Sequence, residues 1–317
     1  MNNIRLRQTP AFRACLIALI YRNTRTSCLS LAGLCARFSH DGLRRVLFWQ
    51  FAWSRRPWDC LAQRLVRESG TLILDDTTWQ RWAKKSAAVD LVWSATLGRV
   101  VVGMQVVLLL WTDGRWKIPH GIRIWRKRGK SKVVLASELL REAVRRGLRL
   151  DYVLFDSWYA ASSLLNVLAT QGWQYIAQLK SNRLLHGTAL NRKWPHRFGQ
   201  VWGRLLKVKH EVLMVKDRCR FFVTNALTLT STQVKEYYRV HQLIEKTFRL
   251  LKQEFGWGRA SHQQLQAQNA HLHLSLYALC LVQVAAQWQT IYAYRHSLFR
   301  RSIPYQLLIA EELFSTA

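Results

Sequence analysis

Carboxylates are scarce in this 317-residue chain, with 18 Asp plus Glu against 48 Lys plus Arg and a formal charge of +30. Such a surplus repels itself unless a polyanion neutralises it, so the charge favours nucleic acid as partner. Proline (5) and glycine (15) are also few and half of the residues are hydrophobic, which excludes fibrous, low-complexity and disordered chains. The six cysteines, Cys15, Cys28, Cys35, Cys60, Cys219 and Cys280, form no CxxC and no Cys/His ligand spacing. That argues against structural zinc and for a reduced, cytoplasmic chain. His271 and His273 lie two apart in a helical stretch and face different sides, which makes them structural or surface residues. The longest apolar run, Val100 to Trp111, contains Gly103 and Gln105 and suits a buried strand, so no membrane partner is expected. The stretch Ala14 to Tyr21 follows arginines as a signal peptide would, but it is short and Arg22 and Arg25 follow at once.

Along the chain, residues 1–69 carry helix-like apolar spacing (Leu16, Ile20, Leu29, Leu31, Leu34, Phe38, Leu47, Phe48, Phe51) among many arginines. A helical DNA-binding domain is expected there. From Thr71 the pattern predicts a buried strand ending in Asp75-Asp76, then strands over 90–95 and 99–111. The basic loop 126–132, which includes Lys130, could follow a phosphate backbone or simply be solvated. A helix over 133–147, a strand over 151–155 running into Asp156, a helix over 159–171 and a strand over 173–179 come next. The order is that of a mixed α/β sheet. Residues 181–231 read as a β-rich basic insertion, in which Trp194 or Trp202 could stack on an unpaired base. A long helix is expected over 232–255 and a last apolar helix over 270–292, with a C-terminal tail from 294 to 317.

Because acids are few, their positions are informative. Asp76 and Asp156 each follow a buried strand, and carboxylates at neighbouring strand ends emerge at one sheet edge. Two such groups repel unless a cation lies between them, and hard oxygen ligands suit Mg²⁺ or Mn²⁺. Either aspartate could equally cap the element after it. At 3.6 residues per turn, Tyr238, His241, Glu245, Arg249 and Lys252 share one helical stripe beside the apolar one through Ile244 and Phe248. Glu245 could lean over the strand ends, or could be a solvated partner of Arg249.

Three blocks together resemble one family: Leu72-Ile-Leu-Asp-Asp-Thr-Thr78, Val153-Leu-Phe-Asp-Ser-Trp-Tyr159 and Tyr238 to Lys252. They are similar to the cut-and-paste insertion-sequence transposases with an Asp-Asp-Glu triad on an RNase H-like fold, of the retroviral-integrase superfamily. The last block resembles the Tyr-x-x-Arg-x-x-x-Glu-x-x-x-x-x-x-Lys signature, with His241 where the family has Arg. The resemblance implies a catalytic domain in two parts, 70–180 and 232–293, separated by the insertion. It implies Asp76, Asp156 and Glu245 as the metal-binding triad, with Asp75 as the alternative first ligand of the doublet. It also implies that Tyr238 and Lys252 hold DNA phosphates. His is not a permanent bidentate clamp as Arg is, so Arg249 could compensate, and His241→Arg should raise cleavage if the clamp is what is missing.

The implied activity is metal-dependent cleavage at transposon ends and then strand transfer into target DNA. Two divalent ions would serve the attacking and leaving oxygens, with no covalent enzyme intermediate, leaving Ser157 and Tyr159 to pack or position. The expected partners are double-stranded DNA, as inverted-repeat ends and target, and a second copy of the chain in a homodimer, at a bacterial nucleoid. An inactive DNA-binding relative and an RNase H-like nuclease without strand transfer are the alternatives.

Overall fold

The computed structural model describes residues 10–21, 39–48, 69–81, 86–95, 97–260, 262–286 and 290–299. Leu29, Leu31, Leu34, Phe51, Cys28, Cys35 and Cys60 lie outside them, as do most of the expected helical domain and the tail beyond 299. In chain order the helices α1 (Pro10–Tyr21) and α2 (His40–Leu47) precede strands β1 (Gly70–Gln80), β2 (Asp90–Ser94), β3 (Arg99–Thr112) and β4 (Lys117–Trp125). Helix α3 (Lys132–Arg145), β5 (Leu150–Phe155), α4 (Ser162–Thr170) and β6 (Tyr175–Leu179) come after them. Then come the small hairpin β7 (Leu184–Leu185) and β8 (Thr188–Ala189), and strands β9 (Phe198–Gly203), β10 (Val212–Asp217) and β11 (Arg220–Thr224). Helices α5 (Ser231–Tyr238), α6 (Gln242–Glu254), α7 (Leu265–Ala286) and α8 (Ile291–Phe299) complete the described chain.

The described residues group into two units. One takes Val107–Lys246 with the β1 residues up to Thr77. Its strands run in the order β3-β1-β5-β6-β11-β10-β9, with β4 paired to β3. β1, β5 and β6 are parallel, and their centres (Leu72, Ile73, Leu74, Val153, Leu154, Phe155) are buried on both faces, as parallel strands covered by helices require. β11 lies antiparallel to β6, so the β-rich stretch expected as an insertion lengthens the same mixed sheet. β4 was not expected: Pro119 and Gly121 interrupt its pattern, which an outer strand tolerates because the missing N–H need not bond. Ser131 caps α3, its Oγ accepting the Val134 N–H at 3.3 Å.

The other unit takes Thr78–Val106, the described residues from Thr247 on, and α1 and α2. α7 is long and apolar enough to cross a membrane, but 83% of its apolar window is buried inside the protein. It packs on α1, where Phe12 and Tyr277 bring their ring centroids to 6.0 Å. His271 and His273 are both buried on α7 as structural residues, bonded to the Gly256 and Asn269 carbonyls. β2 pairs antiparallel with the start of β3. Arg81 donates to the carbonyls of Gly258, Ala260 and His262, tying the chain beyond α6 to the end of β1.

The helix expected over 232–255 is not continuous. A 3₁₀ turn at Arg239–His241 separates α5 from α6. At 3.0 rather than 3.6 residues per turn it twists the helix locally, yet Tyr238, His241 and Glu245 still line one cleft. His241 is buried at 6% exposure, whereas Glu245 and Arg249 are exposed.

Candidate active site

The register of two parallel strands positions the site. Leu74 of β1 pairs with Phe155 of β5, so Asp75 and Asp156 are the next residues of adjacent strands and emerge at one sheet edge. β5 stops there, while β1 runs on to Gln80. Because successive strand residues point to opposite sides, the Asp75-Asp76 doublet is divided. Asp75 lines a cleft of about 520 Å³ together with Asp156 and Glu245. Asp76 does not line it: Lys132 Nζ lies 3.0 and 2.9 Å from its two carboxylate oxygens, and the Tyr159 hydroxyl donates to it at 2.8 Å.

The electrostatics arise from this division. Burial holds the Asp75 carboxyl well above the usual range, and the charges of Asp156, Asp76 and Glu245 raise it further. Only the Asp76 N–H, donating to Asp75 Oδ1 at 2.7 Å, opposes them. Asp156 is raised by burial and by Asp76, against N–H donation from Trp158 and Tyr159 and the charge of Lys132. Burial and the surrounding carboxylates push the Tyr159 hydroxyl well above its ordinary range, so it stays a donor. The cleft therefore holds mutually repelling, partly desolvated carboxylates, the arrangement a hard cation relieves. Among the described residues no three His, Cys, Asp or Glu side chains already stand close enough to hold an ion.

Tyr238 reaches the same cleft from the end of α5, its hydroxyl donating to the Phe155 carbonyl at 3.3 Å. His241 stacks on it with ring centroids 5.2 Å apart and 7° between planes. Burial pushes His241 down to about 4 despite a hydrogen bond to the Leu74 backbone, and its Nε2 is buried without a partner. A neutral, stacked imidazole cannot replace a guanidinium on phosphate. Three cations absent from the expected set line the cleft instead: Arg220, Lys235 and Arg239. Arg220 is 3.6 Å from Asp217, whereas Arg239 is exposed. Arg239 lies four residues after Lys235 and three before Gln242, the spacing of one helical face, and all three line the cleft.

The remaining expected residues are placed apart from the cleft lining. Lys130 pairs with Glu138. Trp202 is half exposed on β9, its indole N–H donating to the Leu227 carbonyl at 3.2 Å. In the other unit, Lys252 donates to the Thr78 carbonyl at 3.0 Å and lies over the Trp79 ring, and Arg249 is solvent-exposed.

The mixed sheet brings carboxylates from adjacent parallel strands and a later helix to one cleft that basic side chains also line. The family that the sequence matches is one of nucleic-acid-cleaving enzymes. The chain belongs to the transposase DDE domain family, which matches residues 67–281, and it is a DNA transposase. Solved structures similar to it include the piggyBac transposase synaptic complex with hairpin DNA, at 10% identity over 96% of this chain and 75% of that one, with a TM-score of 0.49. The NurA nuclease from Sulfolobus solfataricus is similar at 10% identity over 71% of this chain and 88% of that one, with a TM-score of 0.28. No curated protein sequence matches the chain.

Proposed function

We propose that Asp75, Asp156 and Glu245, rather than a triad built on Asp76, hold the divalent cations with which this transposase cuts the ends of its element and joins them to target DNA. The observation that carries this reading is the Leu74–Phe155 register, which sends Asp75 and Asp156 to one edge beside Glu245. The donor set is all carboxylate and unbalanced, which fits Mg²⁺ or Mn²⁺, as one ion or a pair. A cation bound there would supply Lewis-acid stabilisation of the phosphate and of the attacking and leaving oxygens. The chain's own residues do the rest. Arg239 and Arg220 grip phosphates at the rim, and Tyr238 packs the wall against Phe222, their ring centroids 5.0 Å apart. Lys132 and the Tyr159 hydroxyl neutralise Asp76, so that Asp75 alone of the doublet faces the substrate. The attacking groups are water for the cut and the freed 3′ hydroxyl for joining, in a homodimer that holds two inverted-repeat ends.

The test is a cleavage and strand-transfer assay on duplexes carrying the repeats that flank the coding region, titrated with Mg²⁺, Mn²⁺ and Ca²⁺. Cutting and joining in Mg²⁺ or Mn²⁺, lost in Asp156→Asn and Glu245→Gln while duplex binding persists, is the expected result. Undiminished cleavage in either variant or in EDTA would refute the assignment.

A further inference from the structure

Beyond the acid cleft, the turn that carries Asp156 opens on its other side into a second concavity of about 440 Å³. Its composition is the opposite of the cleft's. Lys180, Arg183 and Lys207 line it, no carboxylate does, and Asn182 adds an amide able to donate and accept. Trp158 forms one wall and is 55% exposed, although many large aromatic residues of this chain are buried. Its position is fixed from both ends. Its backbone N–H donates to Asp156 Oδ1 at 3.0 Å, and two ammonium groups lie over its ring, Lys132 at 4.8 Å and Lys180 at 4.7 Å. Lys132 is anchored on Asp76, but Lys180 is exposed and able to move. Helix α4 begins here on Ala161, a cap residue with no side-chain acceptor, which adds partial positive charge to an already cationic pocket.

We propose that this pocket binds an unpaired nucleotide of DNA at the cut end, its base stacked on Trp158 and its phosphate held by Lys180, Arg183 and Lys207. An exposed indole beside cations is the composition that holds single-stranded nucleic acid, because every base offers a π-face and every linkage an anion. The volume lies in the range of small-molecule sites. The incoming base displaces the Lys180 ammonium from the ring, and that ammonium moves to the phosphate. Since Trp158 and Asp156 share one turn, a base seated here fixes the strand relative to the carboxylates, and in this the inference rests on the proposed role of the acid cleft.

The experiment uses the full-length protein in EDTA and two probes: a duplex with a four-nucleotide 3′ tail carrying 2-aminopurine, and the same duplex blunt. The wild type is expected to quench the tail's fluorescence and to bind the tailed probe more tightly. Trp158→Ala should abolish the quench and weaken tailed binding by about 5- to 100-fold, the range of one lost base stack. It should leave blunt binding unchanged, and Trp158→Phe should keep most of both. Wild-type quenching by Trp158→Ala, or no tail preference in the wild type, overturns the proposal. Equal loss on both probes in Trp158→Ala and Trp158→Phe alike also overturns it, since the ring would then support the fold or a duplex contact. Such a failure, with cleavage still dependent on Asp156 and Glu245, leaves the acid-cleft reading standing. Loss of that dependence with tail binding intact would strike only the cleft.

Discussion

The two sides of strand β1 at its aspartate doublet differ in one respect that decides their chemistry. On the Asp75 side, carboxylates line one cleft and burial raises Asp75 and Asp156. On the Asp76 side, an ammonium and a phenol hydroxyl already satisfy the charge, and the pocket walled by Trp158, over which that ammonium lies, is lined by cations and no carboxylate. Adjacent residues of one type are thus given opposite work by the pleat of a single strand. The first side is stored repulsion that the proposed metal site would relieve, and the second is a satisfied ion pair and hydrogen bond.

The largest expected effect breaks this comparison directly. Asp75→Asn should lower cleavage by about three orders of magnitude or more, ~4 kcal/mol of barrier. It should also raise the thermal midpoint of the metal-free protein, because it removes a desolvated, repelled carboxylate. Asp76→Asn should do the reverse. It strands the Lys132 ammonium, whose side chain is only 13% exposed, and should cost about 3 kcal/mol of stability while cutting persists at a reduced rate. Melting curves and single-turnover cleavage on both variants check the pair. If Asp76→Asn abolishes cleavage and Asp75→Asn does not, the division of the doublet is wrong.

The next effect concerns the roof of the cleft. Reading the residues alone suggests that His241→Arg restores a missing clamp. The buried ring instead stacks on Tyr238 and bonds the Leu74 backbone, and a longer charged group would lose both contacts. His241→Arg should therefore lower the melting midpoint by about 2–8 °C, equivalent to ~1–2 kcal/mol or slightly more, without faster cleavage. An unchanged midpoint with faster cleavage would show that the guanidinium reaches phosphate from this position.

Much of this is legible in the residues, and what is not has identifiable causes. Val153-Leu-Phe is a buried apolar run closed by a lone acid, so β5 and Asp156 can be read from the sequence. Leu72-Ile-Leu is equally clear, but which aspartate faces the cleft depends on where β1 ends. The strand was expected to end at the doublet, whereas it continues to Gln80, held in the sheet by partners distant in sequence. Helical periodicity identifies Glu245 as lying beside the apolar stripe through Ile244, yet it assumes a constant 100° per residue. The 3₁₀ turn at 239–241 departs from that value, although Tyr238, His241 and Glu245 still line one cleft. What periodicity does not reveal is that His241 is buried and that Arg239 joins Lys235 at the cleft. Trp158 gives no signal of its own, because exposure of an aromatic residue is decided by tertiary packing.

The smallest expected effect sharpens the comparison at the rim. Arg239 is exposed and lines the cleft, whereas Arg220 is partly engaged by Asp217 at 3.6 Å. A free guanidinium releases about one counterion on meeting a phosphate, while one already shared with a carboxylate releases less. Arg239→Ala should therefore reduce the slope of log affinity against log salt for duplex DNA by about 1 and weaken binding several-fold. Arg220→Ala should change the slope by less, since its loss also frees Asp217 to repel the backbone and so acts at every salt concentration. Titrations of the two variants between low and moderate salt separate these effects. Equal slopes in Arg239→Ala and wild type would remove Arg239 from the phosphate grip and leave Lys235 as the nearest remaining cation of the α5 face.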